Sequence, residues 1–360
     1  MTVPDLARFR LSTQRITGGH FSTPSAAVRW MGAVQAQDYQ AALWGMGLRT
    51  RSATVYSVEQ AIANKEIVRT WPMRGTLHFV PSEDVHSMLS YLAPRVVAGA
   101  STRYRQLGLD VTTFAKSKRI IVKALEGGSW MTRDTLYALL EKNRISCKGQ
   151  RGIHIIGRLA HDGILCFGKR DENQQSFVLL DEWIAQTRAQ TREAWLTKFA
   201  FRYFRSHGPA TVHDFAWWSG LSIGETREIL ESIKSKLVSE TLGDRTYWFF
   251  NERETDIRGT LRAAFLPAFD EYLVGYTDRS AAIARRHANR MHPGGGILNP
   301  TVVVDGTIVA TWKRAVKKEG VHVTVHVFDR LKKSQRNAIQ EAAERYGRFV
   351  GKSVILQVRN

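Results

Sequence analysis

The spacing of apolar positions changes sharply within the first fifty residues. From Pro24, the residues Ala27, Val28, Trp30, Met31 and Val34 recur three and four apart. That period predicts a helix over 24–34, with proline in the first turn, where its missing N–H costs nothing. From Leu43 the chain alternates instead. Leu43, Gly45 and Gly47 fall on one side and Trp44, Met46 and Leu48 on the other, as in a strand. The stretch Val34-Gln35-Ala36-Gln37-Asp38-Tyr39-Gln40 therefore lies between helix and strand, in a loop or a fraying last turn. Another strand is predicted after Pro72, with Met73, Gly75, Leu77 and Phe79 on one face and Arg74, Thr76 and His78 on the other. Pro81-Ser82-Glu83-Asp84 then opens a helix with N-capping residues.

Two downstream segments share a plan. From Phe114 to about Trp183 the pattern reads helix, Trp130-Met131-Thr132, helix, helix, then strands at 164–168 and 176–180 around the polar turn Lys169-Arg170-Asp171-Glu172-Asn173. From Thr191 to about Phe250 the order repeats, with Ala210-Thr211-Val212 in the place of Trp130-Met131-Thr132. Gly220 marks a turn, and strands are predicted at 237–241 and 246–250. Three helices followed by a two-stranded wing is the winged-helix plan, so the pattern predicts a tandem array with a divergent third copy at the N-terminus. The tail differs. Val302–Asp305 and Thr307–Thr311 flank an Asp305-Gly306 turn, and Val321, Val323, Val325 and Val327 alternate with polar residues. A helix over 334–349 and a strand over 353–358 complete a mainly β unit, expected to be a small barrel. The fold class is thus α+β: tandem winged helices, then a C-terminal β-barrel-like domain. The expected domains are 1–112, 113–187, 188–261 and 262–360.

Charge narrows the class of partner. The chain of 360 residues has 52 Lys and Arg against 33 Asp and Glu, a net charge of +19. A surface so basic points to a polyanion, most often nucleic acid or an anionic membrane. No apolar run approaches the roughly 18 residues of a membrane span, and the start lacks the features of a signal peptide. Cys147 and Cys166 are the only cysteines and form no Cys-x-x-Cys pair, which excludes a zinc finger, zinc ribbon or iron–sulfur cluster. They are expected to be reduced and buried in a cytoplasmic, nucleoid-associated protein. No phosphate-binding G-x-x-x-x-G-K-[ST] loop is present, and Gly294-Gly295-Gly296 reads as a flexible connector.

Several constellations are candidates for chemistry. Arg285, Arg286 and Arg290, then Lys313, Arg314, Lys317 and Lys318, then Lys332 and Lys333 form basic clusters suited to phosphates. Gln35 continues the apolar face of the 24–34 helix. In an extended chain, Gln35 and Gln37 would share a side and could hold a water between two neutral amides. A loop-capping pair of glutamines is the alternative. Arg74, Thr76 and His78 either line a pocket, hold phosphate or form a solvated strand face. His322 and His326, about 13 Å apart along a strand, are too distant to share one metal. Asp270, Glu271 and Asp278 are the carboxylates of a possible metal-dependent nuclease. Trp217, Trp218 and Trp312 could stack on bases or pack in the core.

Val34-Gln35-Ala36-Gln37-Asp38 and Arg69-Thr70-Trp71-Pro72-Met73-Arg74-Gly75-Thr76-Leu77-His78 resemble the AlkZ family of DNA glycosylases. So do Phe215–Leu221, Leu266–Tyr272 and Asn299–Gly306, which spread the resemblance over nearly the whole chain. It implies a C-shaped array of three winged helices and a β-barrel. It also implies a Gln–hydrophobe–Gln catalytic signature, which Gln35-Ala36-Gln37 matches with a small hydrophobe. Gln35 and Gln37 would orient water and contact the sugar. Asp38 would offer negative charge to the transition state or cap a helix. The implied substrate is double-stranded DNA carrying N7-alkylguanine-type purines, with interstrand crosslinks also processed. The expected enzyme is monomeric, monofunctional and metal-independent, with no cofactor, no membrane partner and no lysine in the motif for lyase chemistry. A non-enzymatic winged-helix DNA-binding protein, acting as regulator or damage sensor, is the other reading.

Overall fold

The computed structural model describes residues 1–171, 174–186, 190–250, 262–292, 294 and 296–359. Glu172, Asn173 and the middle glycine of Gly294-Gly295-Gly296 lie outside them. The chain divides into two compact units: Glu59–Trp195, and Met1–Val58 together with Leu196–Asn360. No helix among the described residues is long and apolar enough to cross a membrane.

In the Glu59–Trp195 unit the helices Val111–Leu125, Arg133–Lys142 and Arg151–His161 precede the strands Leu165–Phe167 and Ser176–Leu179, in the order predicted. The two-residue strand Met131–Thr132 pairs back onto the last strand, Met131 opposite Phe177 and Thr132 opposite Ser176. Thr132 also caps the second helix, its hydroxyl accepting from the Thr135 N–H at 3.3 Å. Leu125, Leu136, Ile155, Leu159, Leu165 and Phe177 belong to one continuous core. Burying each such side chain is worth roughly 1.5–3 kcal/mol, so packing rather than intrinsic propensity holds these short helices.

The second copy lies mostly in the discontinuous unit. Helices Arg192–Ser206, Val212–Ser219 and Ile223–Ile233 lead into strands Val238–Leu242 and Arg245–Phe249. Ala210 takes the part of Met131–Thr132, bridging Trp248 through N–H···O bonds of 3.0 and 2.8 Å. Thr211 caps its helix as Thr132 does, here in a reciprocal capping box with Asp214. The corresponding positions thus carry the same capping chemistry.

The C-terminal sheet has the predicted hairpin, Thr301–Val304 with Thr307–Val316, and the alternating strand Val321–Val327. It is not the expected barrel. Five strands run in the order Val354–Arg359, Val321–Val327, Thr307–Val316, Thr301–Val304, Ala263–Leu266, and the outer two do not pair with each other. Val354–Arg359 pairs parallel to Val321–Val327. A parallel pair needs a crossover connection, and the helix Lys333–Val350 supplies it, packing over the sheet. With its Ala338, Ile339, Ala343, Tyr346 and Phe349 buried, that helix covers the face that closure would have sealed.

Three further expectations fail locally. Residues 43–48 are not a strand but part of the helix Tyr39–Arg49. Every residue from Ala41 to Arg49 is buried, so no polar face marks the helical period. Of the two glycines that produced the false alternation, Gly47 provides clearance. A Cβ on Gly47 would stand 2.4 Å from the Phe349 ring. Residues 67–81 form a hairpin, Ile67–Met73 with Thr76–Pro81, turning at Arg74 and Gly75, both at positive φ. Arg74 therefore leaves the strand face assigned to it, and the strand after it is largely buried rather than solvated on one side. Pro72 is tolerated because the register shifts between Thr70 and Met73. Ser82 makes no cap bond. Residues Ser82–Asp84 form a 3-10 turn, and the Asp84 carboxylate accepts from Trp195 Nε1–H at 3.2 Å.

Candidate active site

The Gln35–Asp38 segment is braced at both ends. The helix Pro24–Met31 starts on a Thr23 cap and stops at Gly32, whose φ of 80° an L side chain rarely adopts. There is little room for one, since a Cβ there would lie 3.2 Å from Arg202 Cδ and 3.7 Å from the Trp218 ring. A two-residue strand, Val34–Gln35, follows. Asp38 then caps the helix Tyr39–Arg49, its Oδ1 accepting from the Ala41 N–H at 3.0 Å. The two amides occupy different environments. Gln35 is 9% exposed, while Gln37 and Asp38 are exposed.

Beneath the segment lies a polar network that is almost wholly buried. The Gln35 backbone N–H donates to Glu271 Oε1 at 2.7 Å, and Trp218 Nε1–H donates to Glu271 Oε2 at 2.8 Å. Glu271 itself is 0% exposed. His207 Nε2 stands 3.4 Å from Glu271 Oε2 but off a good hydrogen-bonding line. Burial pushes the His207 pKa below its ordinary value, which favours a neutral ring. Gln14 Nε2–H donates to the Glu271 carbonyl and to Tyr276 Oη. One residue away, Asp270 receives Arg49 in a bidentate pair of 2.9 and 3.0 Å, and Arg49 also donates to the Gln14 side-chain oxygen at 2.8 Å. Asp270 Oδ1 further accepts from the Tyr272 N–H that starts the short helix Glu271–Val274.

Asp270 and Glu271 are therefore committed to internal donors, and Asp278 pairs with Arg245 and the Ser280 N–H instead. No group of three or more His, Cys, Asp or Glu side chains among the described residues is placed to hold a metal. Sequence pattern alone had suggested Glu271 only as a metal ligand. Its bond to Gln35 joins residues 236 positions apart, so no local spacing names the partner.

The remaining candidates are dispersed. In the other unit His78 is buried between Thr76 O, 3.0 Å from Nδ1, and Arg74 Nη2, 3.1 Å from Nε2. Only the tautomer protonated on Nδ1 satisfies both contacts. Arg285, Lys313, Lys317 and Lys318 are exposed. Arg286 binds Asp329 at 2.7 Å and Arg314 donates to Tyr346 Oη at 2.7 Å. Trp218 and Trp312 are core residues at 0% and 2% exposure, whereas Trp217 is half exposed with Nε1–H directed to Val274 O. Cys166 is buried and Cys147 partly so, both as free thiols.

The chain belongs to the AlkZ-like DNA glycosylases, whose family model matches residues 28–349. The interstrand DNA cross-link repair glycosylase of Streptomyces sahachiroi is 24% identical over 326 residues, which cover 81% of this chain and 87% of that protein. The solved structure of Streptomyces sahachiroi DNA glycosylase AlkZ has the same fold, with a TM-score of 0.83 at 21% identity over 100% of both chains.

Proposed function

We propose that this protein is a monofunctional DNA glycosylase that hydrolyses the N-glycosidic bond of N7-alkylated purines in duplex DNA, interstrand crosslinks included. The observation that carries the reading is the pinned Gln35-Ala36-Gln37 segment, with Gln37 exposed and the Gln35 backbone locked from beneath. N7-alkylation makes guanine cationic, so the base needs little help to leave. As the C1′–N9 bond breaks, its electron pair neutralises the purine. Water adds to C1′ and loses a proton to solvent, leaving an abasic site. The protein's task is to position that water and stabilise charge growing on the sugar. Gln37 supplies an amide that can donate and accept at once. Gln35 orients the water from the other side. Asp38 acts chiefly as a helix cap, and its charge lies beside the same segment.

The two repeats, 113–187 and 188–261, fit winged helices that bring the duplex in, and the described part of the second stops at 250. The basic side chains Arg285, Arg286, Lys313, Arg314, Lys317 and Lys318 serve as phosphate contacts, and the partly exposed Arg74 and Thr76 as a second group, with the buried His78 holding the Arg74 guanidinium rather than facing DNA. The protein is read as a cytoplasmic monomer that works without cofactor.

Incubation with an N7-methylguanine duplex, followed by alkali, tests the reading. Strand breaks that require alkali are expected, at the same rate in EDTA as in magnesium. Magnesium-dependent breaks without alkali would establish a nuclease, and no breaks at all a binding protein. Duplex affinity is expected to be insensitive to sequence and to fall steeply with salt, with a log–log slope of about −0.9 per phosphate neutralised. Fluorescence titrations at three salt concentrations measure that slope. A flat response would contradict a role for the +19 charge.

A further inference from the structure

We infer that Glu271 is a positioning residue for Gln35, and that its two carboxyl oxygens tie the motif to the aromatic core; this rests on the reading of Gln35 and Gln37 as the amides that serve the reaction. A fully buried carboxyl group costs several kcal/mol in lost hydration unless donors surround it, and an apolar side chain of similar size would serve packing alone. Here both oxygens are committed. Oε1 accepts from the Gln35 N–H and Oε2 from Trp218 Nε1–H, at 2.7 and 2.8 Å. Trp218 is itself fixed, stacked on Phe199 at 5.1 Å between ring centroids and packed against Tyr203 at 4.9 Å. On the other side the Glu271 main chain is held by Gln14, and its neighbour Asp270 by Arg49. Rigidity thus passes from Phe199 and Tyr203 through Trp218 and Glu271 to the Gln35 backbone N–H. Displacement of a reacting group by about 1 Å can cost on the order of 100-fold in rate, so a brace with two simultaneous bonds is functionally distinct from a single contact.

A glutamine at this position cannot do the same work. Its side chain offers one acceptor and one donor, and two N–H groups face it. Glu271→Gln must therefore release either Gln35 or Trp218. Adding Trp218→Phe removes the competing donor and returns the amide oxygen to Gln35. Two independent readouts apply. Hydrogen exchange at the Gln35 amide, measured without substrate, is expected to speed up in Glu271→Gln and to slow again in the double variant. Single-turnover base release with saturating enzyme is expected to fall roughly 10- to 100-fold in Glu271→Gln and to recover in part in the double variant, with duplex Kd unchanged. Unaltered Gln35 exchange in a Glu271→Gln protein that melts normally overturns the inference, as does a rate loss matched by an equal loss of duplex affinity. If the wild-type chain releases no alkylated base, the proposed function fails, and the exchange measurement still decides the role of Glu271.

Discussion

Gln35→Ala and Gln37→Ala are each expected to slow base release by about 30- to 1000-fold while leaving duplex affinity within a factor of two. The reason is where the amides are proposed to act. A group that aligns water on the sugar matters most as charge develops, so its loss falls on the chemical step rather than on binding. Removing one such hydrogen bond costs about 2–4 kcal/mol by analogy with oxyanion-hole donors. The exposed Gln37 is expected to be the cleaner of the two substitutions. Gln35 is only 9% exposed, so its truncation also leaves a small void, and a thermal melt must accompany the kinetics. Single-turnover assays with saturating enzyme isolate the step. Wild-type rates in both variants, with normal melts, would make these glutamines structural.

The second large effect is on stability. Asp270→Ala leaves the Arg49 guanidinium, at 0% exposure, without its bidentate partner. An uncompensated buried charge of this kind costs about 3–5 kcal/mol. Urea unfolding should show that loss as a lower midpoint. Replacing both partners, Arg49→Met with Asp270→Leu, is expected to recover much of it, because the charges leave together. A loss below about 1 kcal/mol in Asp270→Ala would mean that Arg49 reaches other acceptors, beyond Gln14 and the Gly45 carbonyl, that suffice.

What the sequence makes legible is what lies close along the chain. Thr132 and Thr211 announce their helices because a cap acts over three residues. The Asp305-Gly306 turn and the alternation of 321–327 announce a hairpin and a strand for the same reason. The helix Tyr39–Arg49 was hidden because burial on all sides erased its period, and Gly47 owes its place to Phe349, far away in sequence. The barrel was misjudged because nothing in a run of strands reveals which ones meet, whereas one parallel pairing with a helical crossover decides it. At the site, the Gln-Ala-Gln spacing stood out, but its support did not. One signal was available. Asp270 and Glu271 interrupt an apolar stretch running from Ala263 to Val274, and charged groups in such surroundings demand partners.

The bond from Gln35 to Glu271 joins residues 236 positions apart. Translation proceeds at roughly 5–20 residues per second, so the ribosome needs roughly 10–50 seconds after placing Gln35 to deliver its brace. Throughout that interval the nascent chain carries the motif without the carboxyl group that holds it. Completion of the brace therefore waits until residue 271 has been made. A polypeptide released early, anywhere before residue 271, can present folded helices to the genome yet lacks the anchored amide, so incomplete translation products are expected to be inert toward DNA bases.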